Sequence, residues 1–227
     1  NTAGAFVFGG VGTLSIKTGG LTNNDAQTQT FNNATNFGLT ATSFINAASG
    51  GLTLNGGVSI GTATLTLDGA NAITFGSTLT GSGTIVKNGA GAFNLASTAT
   101  AIGADFTLNA GTTTLVATGA TQTLSSGASV AVNGTASFAI NENLTLDGAQ
   151  ITRASTAALT LAAGKTLTVQ NGGALSEGGT QGSGHVREAV HQLQGLAGDR
   201  QVDGARTALL TPGGFFFNAQ GLTLVTS

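Results

Sequence analysis

Short runs in which apolar and polar residues alternate recur along most of this chain. They are Gly51–Leu54, Ala63–Leu67, Asn71–Phe75, Gly83–Val86, Asp105–Leu108, Thr113–Val116, Ser129–Val132, Asn143–Leu146 and Lys165–Val169. A period of two is the mark of a β-strand with one buried face. Between the runs stand Asn55-Gly56, Asp68-Gly69, Asn88-Gly89, Asn133-Gly134, Asp147-Gly148 and Asn171-Gly172. Such dipeptides favour the positive φ angles of tight turns. Strands of about five residues at intervals of about eight to twelve build a sandwich, a barrel or a solenoid.

Three features favour the solenoid. The runs differ little in composition, so one can stand in for another. The buried candidates are Leu, Val, Ile and Ala, with Phe75, Phe93, Phe106 and Phe138 singly placed, as in a narrow core that grows by one layer per coil. Glycine and threonine at coil corners can stack in ladders, each coil bonding the next through parallel strands. The expected fold is therefore all-β: a β-solenoid (β-helix) of parallel stacked strands over residues 1–177. Turns are expected at Asn55-Gly56, Asn88-Gly89 and Asn133-Gly134. A small C-terminal α+β segment, 178–227, follows it.

Charge supports that reading and narrows the function. Charged residues are 7% of the 227, against about 25% on ordinary globular chains. The longest apolar runs fall short of a membrane helix, which needs about 18 residues, so no integral membrane segment is expected. A formal net charge of −2 offers no electrostatic footprint for nucleic acid. There is no cysteine, hence no disulfide framework and no thiolate metal site. The first residue is Asn1 rather than Met, as in a processed chain or a fragment, and no secretory signal is visible.

One stretch carries a family likeness. The segments "GSGTIVKNGAGAFNL" (81–95) and "FTLNAGTTTLVATG" (106–119) resemble the passenger-associated strand repeat of bacterial autotransporters. Lys87, Gly89, Gly91, Leu95, Asn109, Ala110 and Gly111 fall where that pattern has them. Asn88 replaces a small hydroxyl residue, and a Gly-Gly is reduced to Gly103. The resemblance extends by composition over about residues 10–175. It implies a secreted β-helix of the kind found in adhesins and surface fibres.

The last fifty residues break the pattern. Residues 178–227 hold six of the sixteen charged residues, both histidines and the only proline. "HVREAVHQLQGLAG" (185–198) has Val186, Val190, Leu193 and Leu196 at helical spacing, with Gly198 as a stop. "TALLTPGGFFFNAQGLTLVTS" reads as strand, turn, strand. Residues 180–227 resemble the C-terminal end of the thiolase family, through "REAVHQLQGLAGDRQVDGARTALL" and the glycine pair of "PGGFFFNAQGLTLV". That likeness brings no chemistry with it. Thiolases need a nucleophilic cysteine, and their Gly-His-Pro histidine has no counterpart, since Gly184-His185 is followed by Val186.

No catalytic, cofactor-binding or metal-binding residues are assigned. His185 and His191 are six apart, not the three or four that share a helix face. Asp68 and Asp147 are explained by their Asp-Gly turns, and Asp105 is isolated from both, which leaves no evident carboxylate pair for glycoside hydrolysis. The Gly-Gly-x-Gly-x-Asp nonapeptides of calcium-binding coils do not occur. The glycines of "GSGHVRE" (182–188) lack the lysine and hydroxyl residue of a phosphate loop. Phe215-Phe216-Phe217 reads as core or interface.

The expected function is a non-catalytic structural or adhesive protein, extracellular on a bacterial cell surface. Both termini, "AFVFGGVGTLSI" and "GGFFFNAQGLTLV", are apolar, β-prone and uncharged. They suggest self-association head to tail into a filament. Host or cell-surface glycans are the other expected partners. The alternative is a thiolase-like fragment or acyl-CoA-related binding domain without the catalytic cysteine.

Overall fold

The computed structural model describes residues 4–16, 19–36, 42–97, 101–170, 183–196, 206–210 and 222–225. The chain falls into two compact units, Asn1–Leu175 and Ser176–Ser227.

The first unit is a β-solenoid in which every described strand pairing is parallel and in register. Most coils give one short strand to each of three faces. The first face is an eight-stranded sheet running from Val7–Phe8 to Ala158–Leu161. The third is a seven-stranded sheet running from Gly19–Thr22 to Gln150–Arg153. The second face comes in two pieces, of four strands and three. Between them the chain contributes an isolated bridge from Ile102 to Leu124. Register partners in neighbouring coils lie between 20 residues apart (Ile73 and Phe93) and 25 apart (Thr113 and Phe138). A coil is thus three of the strand-to-strand intervals visible in the sequence. All nine alternating runs fall on strands.

Parallel in-register pairing stacks like positions into columns. On the first face Leu54, Phe75, Leu95, Leu115 and Ile140 form one inward column. On the third, Leu65, Ile85, Phe106, Val130 and Ile151 form another. All ten are buried. Phe75 and Phe93 meet edge to face, with centroids 5.0 Å apart, a favoured aromatic geometry. Outward positions alternate with these. Thr30, Thr53, Thr74, Asn94 and Thr114 line up across the first face, solvating a long surface without charge.

The corner glycines serve two different purposes. Gly69, Gly134 and Gly148 have φ of +101°, +53° and +67°, the conformation expected of Asp-Gly and Asn-Gly turns. Gly56 and Gly89 turn without positive φ. Their role is close approach: a Cβ on Gly56 would lie 2.2 Å from the Asn33 carbonyl oxygen, and one on Gly89 2.3 Å from that of Gly69. The Asn171-Gly172 turn lies outside the described residues.

The second unit contains the helix Ser183–Gln194 and an antiparallel pair, Thr207–Leu210 with Leu222–Val225. The helix stops earlier than the glycine pattern suggests. Gly195, not Gly198, is the terminator, at φ +69°. The Gly195 N–H donates to the Gln192 carbonyl and the Leu196 N–H to that of His191, at 3.4 and 2.8 Å. This double bond pattern satisfies the last carbonyls of a helix.

Candidate functional site

The residues with the greatest chemical potential in the sequence are kept apart by the fold. Asp68 and Asp105 both lie on the third face, and Asp147 ends a strand of the second. Register sets Asp68 beside Asn46, Asp105 beside Thr84, and Asp147 beside Gln170. Asp105 accepts from the backbone N–H and the hydroxyl of Ser129, both at 2.8 Å. Asp68 accepts from the Gly69 N–H at 2.8 Å. None of the three has a carboxylate as its register partner. His185 and His191 lie on one helix, with His191 half-buried. Among the described residues no three His, Cys, Asp or Glu converge as a metal site would require. Phe215-Phe216-Phe217 lies outside the described residues.

Glu142, which the sequence reading passed over, gathers four hydrogen bonds on one carboxylate. Its side chain is 2% exposed. Its carboxylate accepts from the backbone N–H groups of Thr118 and Gly119, each at 2.6 Å, and of Asn143 at 3.1 Å. Lys165 Nζ donates to it at 3.0 Å. One carboxylate therefore ties the exposed loop before Gln122 to its own coil and to the next. The Lys165 bond first, then those from Gly119, Asn143 and Thr118, lower its pKa to about 2 against the opposing pull of burial. Unfolding returns the group to about 4.3. A depressed acid stabilises the fold above the unfolded pKa, and that contribution fades as pH falls toward 2. Glu142→Gln is expected to lower the thermal midpoint at pH 7, with the gap from the parent chain closing toward pH 2. Circular dichroism melts across that range check it.

Lys87, a residue of the strand repeat, points inward. It stands in the column of Leu67, Leu108 and Val132 and is 1% exposed. Its ammonium donates to the carbonyls of Gly89 and, at 3.4 Å, of Ala110. It thereby closes the corner between the third and first faces across two coils. Burial lowers its pKa from 10.5, with Asp68 pulling the other way. A base whose folded pKa is depressed binds fewer protons in the native state. Stability from this group therefore rises with pH up to the unfolded value. The chain has no tyrosine or cysteine to titrate there. Urea midpoints of the parent chain are expected to gain on those of Lys87→Met as pH rises toward about 10.4.

Corner asparagines add a ladder on the outside. Asn109 Nδ2 donates to Asn88 Oδ1 at 2.8 Å, and Asn133 Nδ2 to Asn109 Oδ1 at 3.0 Å. Inside, a small apolar cavity lies where the second face is interrupted, lined by Leu95, Ile102, Phe106, Thr113, Leu115 and Phe138 among others. Apart from Thr113, its lining is apolar. The polar groups of this solenoid hold coils together.

A family model described as "Thiolase C-terminal domain-like" matches residues 135–227. That range takes in the last solenoid coils as well as the helix and antiparallel pair, and it spans less than half of the chain. No curated protein and no solved structure matches.

Proposed function

We propose that this protein is a non-catalytic structural or adhesive element of a bacterial cell surface, assembling end to end into a fibre or layer. The observation that carries the reading is the outer edge of the first face. Val7–Phe8 pairs on one side with Gln29–Phe31 and stands as the last strand of the sheet. Around it Phe6, Val7, Phe8 and Val11 are 50%, 65%, 46% and 111% exposed. An apolar edge with free backbone donors and acceptors is a template for another strand. At the opposite edge of the sheet, Leu161 is 43% exposed. A second copy docked there would set its Phe8 under Leu161, continuing the inward column of Phe31, Leu54 and Phe75. The likeness to the autotransporter strand repeat supports the surface location. The uncharged threonine columns suit glycans as further partners.

The test is light scattering and electron microscopy on the intact chain over a range of concentrations. Growth into rods is expected, and removal of residues 1–12 is expected to leave a monomer. An intact chain that stays monomeric at high concentration would sink the fibre reading.

The thiolase-like match favours a second reading, an acyl-CoA-related binding domain. Without cysteine the chain cannot form an acyl-thioester intermediate of its own. Calorimetric titration with coenzyme A separates the two, since the fibre reading predicts no heat.

A further inference from the structure

We infer that Asn133 is a site of spontaneous covalent modification in the folded protein, set apart from the other Asn-Gly pairs by its turn. The chemistry is internal to the chain. The Gly134 amide gives its proton to solvent base, and its nitrogen attacks Asn133 Cγ. The N–Cγ bond forms, the Cγ–Nδ2 bond breaks, and ammonia leaves. Water then opens the five-membered imide at either carbonyl, yielding aspartate or isoaspartate. No oxidant, metal or enzyme is consumed.

Three observations single out this pair. Asn133, Gly134 and Thr135 are all exposed. The segment is a four-residue turn, closed by the Ala136 N–H donating to the Asn133 carbonyl at 2.9 Å. None of the described hydrogen bonds uses the Gly134 N–H, so the attacking nitrogen is open to solvent base. Space beside the glycine is the third. Beside Gly134 the nearest atom to a built Cβ is the Asn109 carbonyl oxygen, at 3.4 Å, an ordinary contact.

The other two described pairs are pinned. Gly56 and Gly89 lie with their backbones hard against the preceding coil, at Asn33 and Gly69. The Gly89 N–H also donates to the Leu67 carbonyl at 3.3 Å. Ring closure there requires the coils to separate first, so those sites react only through local opening.

The product would alter the ladder. Asn133 donates to Asn109 Oδ1 through the nitrogen that leaves. A carboxylate oxygen in its place opposes that acceptor, and the Asn109 and Asn88 amides would have to turn over to restore the bonds. Isoaspartate would also add a backbone atom to the turn joining Ser129–Val132 to Ser137–Ile140.

The experiment is incubation of the intact chain in mildly alkaline buffer, with peptide mapping by mass spectrometry over time. A parallel sample is held in concentrated urea. In the folded chain Asn133 should convert at least about ten times faster than Asn55 or Asn88, and in urea the three should agree within about threefold. Asn171 is followed separately by its own fragment ions. Equal rates in the folded chain, or Asn55 or Asn88 ahead, would overturn the inference. An Asn133 lead that persists undiminished in urea would overturn it too, since local sequence rather than the turn would then set the rate.

Discussion

Phe75→Ala should cost about 3–5 kcal/mol, the range for deleting a fully buried aromatic ring. Phe75 is 0% exposed, mid-column between Leu54 and Leu95, and edge to face with Phe93. A narrow solenoid core has no second layer to collapse into the space. Because each coil touches only its neighbours, the damage should be local at first. Hydrogen exchange is expected to show amides of the coils on either side of Phe75 losing protection well before those near Phe138. Uniform loss along the whole unit would mean that the stack melts as a single body. Urea denaturation supplies the free energy.

Gly91→Ala should be comparably damaging for the opposite reason. A Cβ there would lie 2.0 Å from the Asn71 carbonyl oxygen and 2.6 Å from its carbonyl carbon. Backbone, unlike a side chain, cannot swing away, so the coils must part. The Gly91 N–H bond to the Gly69 carbonyl, at 3.0 Å, would stretch with them. Overpacking of this sort costs on the order of 3 kcal/mol. Gly119→Ala is the contrasting control. No atom lies within 4 Å of its would-be Cβ, so only its φ of +85° opposes the change. A Gly91→Ala chain that unfolds at the parent's urea midpoint would refute the stacking account.

The strands were legible because alternation is local: three or four residues suffice to show it. Faces and coils were not, because they depend on which run lies above which, a matter of register over 20 to 25 residues. Phase could have carried the reading further. Ile85 and Lys87 share the inward phase of one strand, so a buried lysine was readable two residues past an isoleucine. The same logic would have placed Gln122 with Leu124. The Glu142 cluster was beyond such reasoning. Its partners Thr118, Gly119 and Lys165 lie in other coils, and Thr118 and Gly119 lie outside any alternating run. The clue available was that Glu142 is the first glutamate in the chain. The sequence offers two glycines, Gly195 and Gly198, as helix stops, and the bonds to Gln192 and His191 rather than composition put the stop at Gly195.

Stacking like on like has a consequence for descent. A coil meets the coil above and the coil below through similar columns, so the junction left by removing or copying one coil resembles the junctions already present. Tandem duplication of some twenty-odd codons would lengthen the molecule by about 4.8 Å, one strand spacing, without a new core to invent. The second face is broken into two pieces, with only the Ile102–Leu124 bridge at the break, so a poorly matched coil is tolerated when its other two faces stay in step. Length in such a lineage can drift by whole coils, tuned by slippage at the gene rather than by point substitution.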